Sequence, residues 1–193
     1  MKKNASILGL HGLVFRLAEE GDIPELHALI PLSVRVLQAD FYTVEQREGA
    51  IGTVFGVDSQ LIRDGTYFVA TEGTRVVGCG GWSRRRTSYG SDRVRTTEDP
   101  LRDPLVEPAM VRAFFVHPDF ARRGIGRRLM ELSERAALDA GFTAIEIVAT
   151  LPGEPLYAAF RYEAVERFEI ALVNGAKMAL VRMRKTQFPP AAR

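Results

Sequence analysis

A basic stretch with two glycines decides how this chain folds: Val116-His117-Pro118-Asp119-Phe120-Ala121-Arg122-Arg123-Gly124-Ile125-Gly126-Arg127-Arg128-Leu129. An apolar run precedes it, and apolar residues at helical spacing follow it, so the stretch predicts a strand, a short loop and a helix. Glycines at the start of a helix let backbone N–H groups converge on an anion, because no Cβ blocks the approach. Three arginines surround these glycines. We interpret the stretch as a diphosphate-binding loop.

The composition is that of an ordinary soluble globular protein. The chain has 193 residues, 46% of them hydrophobic and 26% charged, which is enough for one domain with a proper core. Its net charge of +2 argues against a general nucleic-acid binder. The one cysteine, Cys79, excludes a disulfide framework within the chain. We find neither a membrane span nor a cleavable leader, and therefore expect a cytoplasmic location.

The remaining pattern predicts the element order β-α-α-β-β-β-α-β-α-β-β. Helices are expected over residues 23–38 and 43–53, with a short helical piece over 58–64. The strands fall at 13–17, 66–72, 75–82, 110–116, 144–149, 165–173 and 176–184. Together they predict one α/β domain over residues 13–185, with a mixed sheet and helices on both faces. Residues 1–12 are assigned to an N-terminal extension and residues 186–193 to a C-terminal tail.

A long connection rich in arginine, residues 83–108, interrupts this pattern. Loops of this length inside a compact domain are usually functional or mobile. Its arginines form either a solvated face or a site for a phosphate or an acidic group.

The glycine stretch, with the strand before it and the helix after it, resembles the signature of the GCN5-related N-acetyltransferases (the GNAT superfamily). That signature is a hydrophobic-x-Val-x-Pro strand end, followed by Gln/Arg-x-x-Gly-x-Gly/Ala at the start of a helix. Here Phe114-Phe115-Val116-His117-Pro118 and Ala121-Arg122-Arg123-Gly124-Ile125-Gly126 take those places, with Ala121 where Gln or Arg is usual.

A second segment, Pro155-Leu156-Tyr157-Ala158-Ala159-Phe160-Arg161-Tyr162, resembles the family's x-Phe/Leu-Tyr-x-x-x-Gly-Phe motif, with Arg161 in place of the glycine. The resemblance extends over residues 13–185. It implies a single-domain GNAT-like acyl-CoA N-acyltransferase fold. In that fold a mixed, mostly antiparallel sheet is flanked by helices and splayed between strands 4 and 5.

The resemblance also implies roles for particular residues. Tyr157 matches the tyrosine that often protonates the departing thiolate of coenzyme A, although a packing role is the alternative. The Val116 N–H group is the usual candidate for polarising the thioester carbonyl. Tyr42 and Trp82 are substrate candidates, and Trp82 fits core packing equally well. The residues implied in cofactor binding are Phe114, Phe115, Val116, Arg122, Arg123, Gly124, Ile125, Gly126 and Arg127.

The general base stays open at this stage. Many relatives carry a glutamate on the fourth strand, where this chain has Met110 and Arg112. The alternatives are Glu107, Glu154 or a chain of water molecules that ends on backbone carbonyls.

The function implied is transfer of an acetyl group from acetyl-CoA directly to the amine of a small-molecule acceptor, without a metal. A non-catalytic acyl-CoA-binding module and an acetyltransferase acting on a protein amine are the alternatives. Relatives often dimerise through late strands, which suggests a homodimer.

Overall fold

The computed structural model describes residues 7–9, 12–87, 89–94 and 99–186. Its centre is an eight-stranded sheet. The strands are β1 (Ile7–Gly9), β2 (Leu13–Leu17), β3 (Tyr67–Glu72), β4 (Arg75–Ser83), β5 (Ala109–Val116), β6 (Ile145–Thr150), β7 (Glu163–Ala171) and β8 (Lys177–Lys185). They lie in the order β1-β2-β3-β4-β5-β6-β8-β7. The helices are α1 (Ile23–Leu37), α2 (Val44–Ala50), α3 (Ser59–Arg63), α4 (Ile125–Asp139) and α5 (Glu154–Ala159).

This architecture confirms the predicted fold class. Helix α2 begins with a capping box, in which Thr43 Oγ1 accepts from the Gln46 N–H group at 3.2 Å and Gln46 Oε1 accepts from the Thr43 N–H group at 2.9 Å. It ends at Ala50, earlier than predicted. Strand β1 was not predicted, because three residues are too short to show a period. It lies in the part of the chain that was assigned to the N-terminal extension, and it pairs antiparallel with β2.

The pairing of β5 with its two neighbours opens the sheet at its centre. On one side β5 pairs antiparallel with β4 as far as Val116. On the other side it pairs parallel with β6, and this pairing ends at Val111 and Ile147. Ala113 has a positive φ of 60°, which breaks the regular strand geometry. The splay predicted between strands 4 and 5, which are β5 and β6 in the structure, is therefore confirmed.

Glycines in β4 allow the start of helix α4 and the side chain of Phe114 to pack closely against this strand. A Cβ atom on Gly78 would lie 2.6 Å from Ile125 Cγ2, and one on Gly80 would lie 2.8 Å from the ring of Phe114. Only glycine permits both approaches, so β4 fixes where α4 begins.

None of the described helices has the length and apolar composition needed to span a bilayer.

Candidate active site

The loop between β5 and α4 is held by a buried histidine. His117 caps a single turn of 3-10 helix, Pro118–Phe120, by accepting from the Asp119 N–H group through Nδ1 at 3.2 Å. Its Nε2 atom lies 2.6 Å from the Arg75 guanidinium. These contacts fix the direction in which the chain enters the loop.

Two residues with positive φ then turn the chain into helix α4. Arg122 has φ of 62°, and Gly124, the N-cap of the helix, has φ of 83°. The Arg128 N–H group donates to Gly124 O at 3.0 Å. Within the described part of the chain, none of the N–H groups from Arg122 to Arg127 donates to a backbone carbonyl. Because the positive end of the helix dipole lies here, these donors favour an anion.

Cationic side chains surround these donors. The Arg123 guanidinium lies 4.7 Å from the ring centroid of Phe120, and that of Arg127 lies 5.6 Å from the ring of Phe160. The aromatic rings hold the two guanidinium groups beside the loop by cation–π contact. Arg122 is exposed. The loop therefore combines backbone donors with three arginine charges, a set that suits a diphosphate.

A cavity lies where β5 and β6 part. Its wall contains residues of both strands, of the α2–α3 connection, and of helix α5. The lining residues are Gln38, Val54, Phe55, Gly56, Tyr89, Gly90, Arg112, Ala113, Phe114, Phe115, Ile147, Val148, Thr150, Tyr157 and Leu180. The wall is mainly apolar, and none of its described residues is Asp, Glu or His.

Tyr157 is buried in this wall. Its ring meets the ring of Phe114 edge to face, with centroids 6.3 Å apart. Burial raises the pKa of the Tyr157 hydroxyl far above its ordinary value, so this group stays protonated at neutral pH. The preceding residue, Leu156, lies 3.3 Å from where a Cβ on Gly126 would be. Helix α5 therefore packs on the first turn of α4 and connects the loop to the cavity.

Arg112 is the charged residue of the cavity wall and is 5% exposed. Its guanidinium pairs with the buried carboxylate of Asp58 at 2.9 Å and donates to Thr87 O at 2.8 Å and Gly90 O at 2.7 Å. It therefore fastens the start of the arginine-rich loop, and the residue before α3, to the sheet.

Three arginines of the 83–108 loop bind either to other residues of the loop or to the end of helix α3. Arg85 pairs with Asp64 at 2.6 Å, and Arg102 donates to Arg85 O at 2.9 Å. Arg86 pairs with Glu107 at 3.2 Å. These three side chains thus have a structural explanation that the sequence analysis did not weigh.

The family model for the acetyltransferase (GNAT) domain matches residues 63–164, more than half of the chain. This chain belongs to the GNAT acetyltransferase family. The matched region contains the glycine loop, the splayed strands and Tyr157. No curated protein matches the sequence significantly.

Solved GNAT structures share the fold of this enzyme. A GCN5-related N-acetyltransferase from Rhodopseudomonas palustris is 21% identical, with a TM-score of 0.67 over 94% of this chain and 99% of that one. The PaiA N-acetyltransferase from Thermoplasma acidophilum, in complex with coenzyme A, is 11% identical, with a TM-score of 0.61 over 91% and 99%. YncA from Salmonella typhimurium, with its cofactor acetyl-CoA, is 14% identical, with a TM-score of 0.58 over 94% and 97%.

Of the cofactor residues predicted for this GNAT enzyme, Phe114 and Phe115 line the cavity, and those from Arg122 to Arg127 form the loop with available N–H groups. Val116 differs. Its N–H group donates to Ser33 Oγ of helix α1 at 3.2 Å. A serine hydroxyl therefore holds the donor that the resemblance assigned to the thioester carbonyl.

The two predicted substrate residues do not line the cavity. The Tyr42 hydroxyl donates to Ala179 O at 2.7 Å and accepts from the Leu151 N–H group at 2.9 Å, so it ties the α1–α2 turn to β8 and to the residue after β6. Trp82 packs in the core on the α4 side, with its ring 5.9 Å from that of Phe142. Both aromatic residues have structural contacts, and their role as substrate residues stays a prediction.

The candidate bases also lie outside the described cavity wall. Glu107 accepts from the Asp103 N–H group and pairs with Arg86, and these contacts lower the pKa of its carboxyl group. Glu154 pairs with Arg167 at 2.6 Å. Neither carboxylate contacts the space beside Tyr157.

Sequence reasoning missed one polar residue of the wall, Gln38. It ends helix α1 at a position where no motif marks it. Gln38 reaches the cavity wall because the α1–α2 turn packs on β8, a contact between segments distant in sequence.

Proposed function

We propose that this enzyme transfers an acetyl group from acetyl-CoA directly to the amine of a small molecule. The observation that carries the proposal is the continuity between loop and cavity. The N–H groups of Arg122 to Arg127 lie at one end, Tyr157 lies in the gap between β5 and β6, and the Gly126–Leu156 contact joins them.

The residues present fit coenzyme A. Its pyrophosphate would be held by the available N–H groups and by Arg122, Arg123 and Arg127. The cavity wall at Phe114 and Phe115 would contact its pantetheine arm. YncA and a Brucella melitensis GNAT acetyltransferase, both solved with acetyl-CoA, support this donor. When bound, acetyl-CoA would supply the acetyl group as a thioester.

The chain's own groups would position the reactants and protonate the leaving sulfur. Tyr157 Oη holds a proton that it would give to the leaving sulfur, and its raised pKa keeps that proton in place at neutral pH. The described wall contains no Asp, Glu or His, so the acceptor amine would lose its proton to water near backbone carbonyls. The apolar wall would exclude bulk water from the reacting atoms.

A small acceptor is favoured by how the domain closes around α2. Asn174 Nδ2 of the β7–β8 turn donates to Glu45 O at 2.9 Å, and Gln46 Nε2 donates to Lys177 O at 2.6 Å. These bonds hold α2 against the β7–β8 hairpin and close this side of the domain. A cytoplasmic location and a homodimer stay predictions.

The test is release of free thiol from acetyl-CoA in the presence of a panel of amines. We expect amine-dependent turnover that Gly126→Glu abolishes, because the added carboxylate repels a diphosphate. The matched control is Gly21→Glu, which adds the same charge at an exposed glycine with open space around it. If the protein binds acetyl-CoA but no amine stimulates the release of thiol, the protein would instead be an acyl-CoA-binding module.

A further inference from the structure

A second cavity lies between helix α1, the α2–α3 connection and the arginine-rich loop. Its volume is about 270 Å³, compared with about 70 Å³ for the cavity between β5 and β6. The volume is close to the lower end of the range of about 300–1,000 Å³ that is typical of small-molecule sites. This second cavity is therefore large enough for a small ligand.

Most of the wall of this cavity is apolar. Pro31 of α1 and Ile51 of the connection are partly exposed and supply apolar surface. The other apolar lining residues are buried: Leu26, Ile30, Phe55 and Val57. A ligand with an apolar body would lose water-exposed surface here, which favours binding.

Arg93 brings a cation to the rim of the cavity. Its side chain lies across Gly52, with Nη1 3.0 Å from the position that a Cβ atom on Gly52 would take. Both residues line the cavity, so the guanidinium itself reaches the wall. Arg93 is exposed, and among the residues that the structure describes its guanidinium has neither a hydrogen-bond acceptor nor a carboxylate partner.

The backbone beside Arg93 is fixed on the α2–α3 connection. The Ser91 N–H group donates to Thr53 O at 2.8 Å, and Ser91 Oγ donates to Gly52 O at 2.8 Å. Ser91 Oγ also accepts from the Arg93 N–H group at 3.3 Å. The segment that carries the guanidinium is therefore held in place on the wall of the cavity.

The other polar side chains of the rim leave a positive charge for a ligand. Both carboxylate oxygens of Asp92 accept from the Ser59 N–H group, at 3.0 and 3.1 Å, so this acid is bound to the start of α3. His27 is exposed and lies one helical turn before Pro31, on the face of α1 that lines the cavity. An imidazole and a guanidinium together favour an anion.

Phe55 and Gly56 separate this cavity from the one that contains Tyr157, because they line both. The ring of Phe55 meets the ring of Phe115 edge to face, with centroids 5.9 Å apart. The two cavities are therefore adjacent but have a common wall between them.

We propose that the second cavity binds a small monocarboxylate with an apolar body, at a site separate from that of acetyl transfer. The Arg93 guanidinium would pair with the carboxylate, since its planar fork matches the two oxygens, and His27 would donate a further hydrogen bond. The apolar wall would bury the body of the ligand. This site uses neither the glycine loop nor Tyr157, so the inference is independent of the proposed acetyl transfer.

The first experiment measures binding of 4-phenylbutyrate and of its uncharged analogue 4-phenylbutyramide by calorimetry, with protein free of acetyl-CoA. The wild type should bind the acid with a Kd below about 1 mM. Both Arg93→Gln and the change from acid to amide should raise the Kd at least about tenfold, because each removes the ion pair. The matched control is Arg84→Gln, an exposed arginine of the same loop that lines neither cavity, and its Kd should equal that of the wild type.

A second experiment locates the ligand by NMR. The imidazole Cε1–H resonance of His27, assigned by its loss in His27→Gln, should shift as 4-phenylbutyrate is added. The resonance of His117, which lies at the glycine loop, should not shift. This comparison is needed because the N–H groups of that loop also attract anions.

The proposal is overturned if the wild type does not bind 4-phenylbutyrate at concentrations up to about 10 mM. It is also overturned if the acid and the amide bind equally well, or if Arg93→Gln leaves the Kd unchanged. A shift of the His117 resonance without one of His27 would place the carboxylate at the glycine loop and contradict the proposed site.

Discussion

The ring of Tyr157 stands edge-on to the ring of Phe114, with centroids 6.3 Å apart and planes at 81°. Phe114 belongs to the strand that carries the chain into the glycine loop, and Tyr157 belongs to the helix that follows β6. The contact therefore connects strand β5 to helix α5, beside the gap where the pairing of β5 with β6 has ended. It positions the hydroxyl through the ring.

Tyr157→Phe should separate protonation from packing. The ring contact with Phe114 remains, so we expect acetyl-CoA to bind with an unchanged Kd. Turnover should fall by about 100-fold or more, the usual effect of losing a general acid. Steady-state kinetics and calorimetry measure the two effects. Tyr162→Phe is the matched control, because Tyr162 packs against Tyr157 with centroids 6.3 Å apart but does not line the cavity. Equal activity of Tyr157→Phe and wild type would remove the acid role.

The pH dependence of kcat/KM should follow the acceptor and not the protein. Burial raises the pKa of Tyr157 far above its ordinary value, so its acid form persists across the working range and produces no alkaline limb below about pH 10. With no Asp, Glu or His in the described wall, activity should rise with pH as the amine loses its proton. Two acceptors of different amine pKa should give ascending limbs displaced by that difference. If the ascending limbs for both acceptors lie at the same pH, a base of the protein and not the acceptor amine controls the rate.

Breaking the Arg112–Asp58 pair should destabilise the fold strongly. The two side chains are 5% and 1% exposed, so Arg112→Met leaves a buried carboxylate without its cation. We expect a loss of about 3–5 kcal/mol in the free energy of unfolding, measured by urea denaturation. The Arg112→Met/Asp58→Asn double variant should lose less than the sum of the single variants. Additive losses would show that the pair is not coupled.

Arg161→Gly should stabilise the protein. Arg161 has φ of 65°, in the left-handed region that costs a residue with a Cβ about 1–2 kcal/mol. Glycine relieves that strain but loses more backbone entropy on folding, so the net gain should be about 0.5–1 kcal/mol. Arg161→Ala keeps the Cβ and serves as the control, which should show no such gain. If both variants change stability equally, the side chain and not the backbone is responsible.

The sequence predicted the parts of this enzyme that local chemistry determines. The strand, loop and helix around Gly124 depend on glycine and arginine at fixed spacing within one short segment, and the splay was implied by the family resemblance that this segment carries. Family membership and fold class were confirmed for this reason. The arrangement of the acceptor side depends instead on contacts between distant segments, and the substrate residues named there stay predictions.

Trp82 and Tyr42 illustrate the difference. Trp82 lies on the face of β4 that packs against α4, and its partner Phe142 is sixty residues away. The Tyr42 hydroxyl forms hydrogen bonds to β8 and to the residue after β6. Neither contact can be predicted from the residues that are adjacent to Trp82 or Tyr42 in the sequence. Gln38, which does line the cavity, has no motif either, and only the packing of distant segments brings it there.

The central claim is that the N–H groups of Arg122 to Arg127 bind the pyrophosphate of acetyl-CoA. The most direct measurement is the shift in Tm that acetyl-CoA produces in wild type, Gly126→Glu and the control Gly21→Glu. At 100 times Kd the ligand should add about 2.7 kcal/mol of stability, which corresponds to a rise of about 5–10 °C. We predict that rise for the wild type and the control and none for Gly126→Glu. No shift in the wild type at millimolar acetyl-CoA, or an undiminished shift in Gly126→Glu, would contradict the claim.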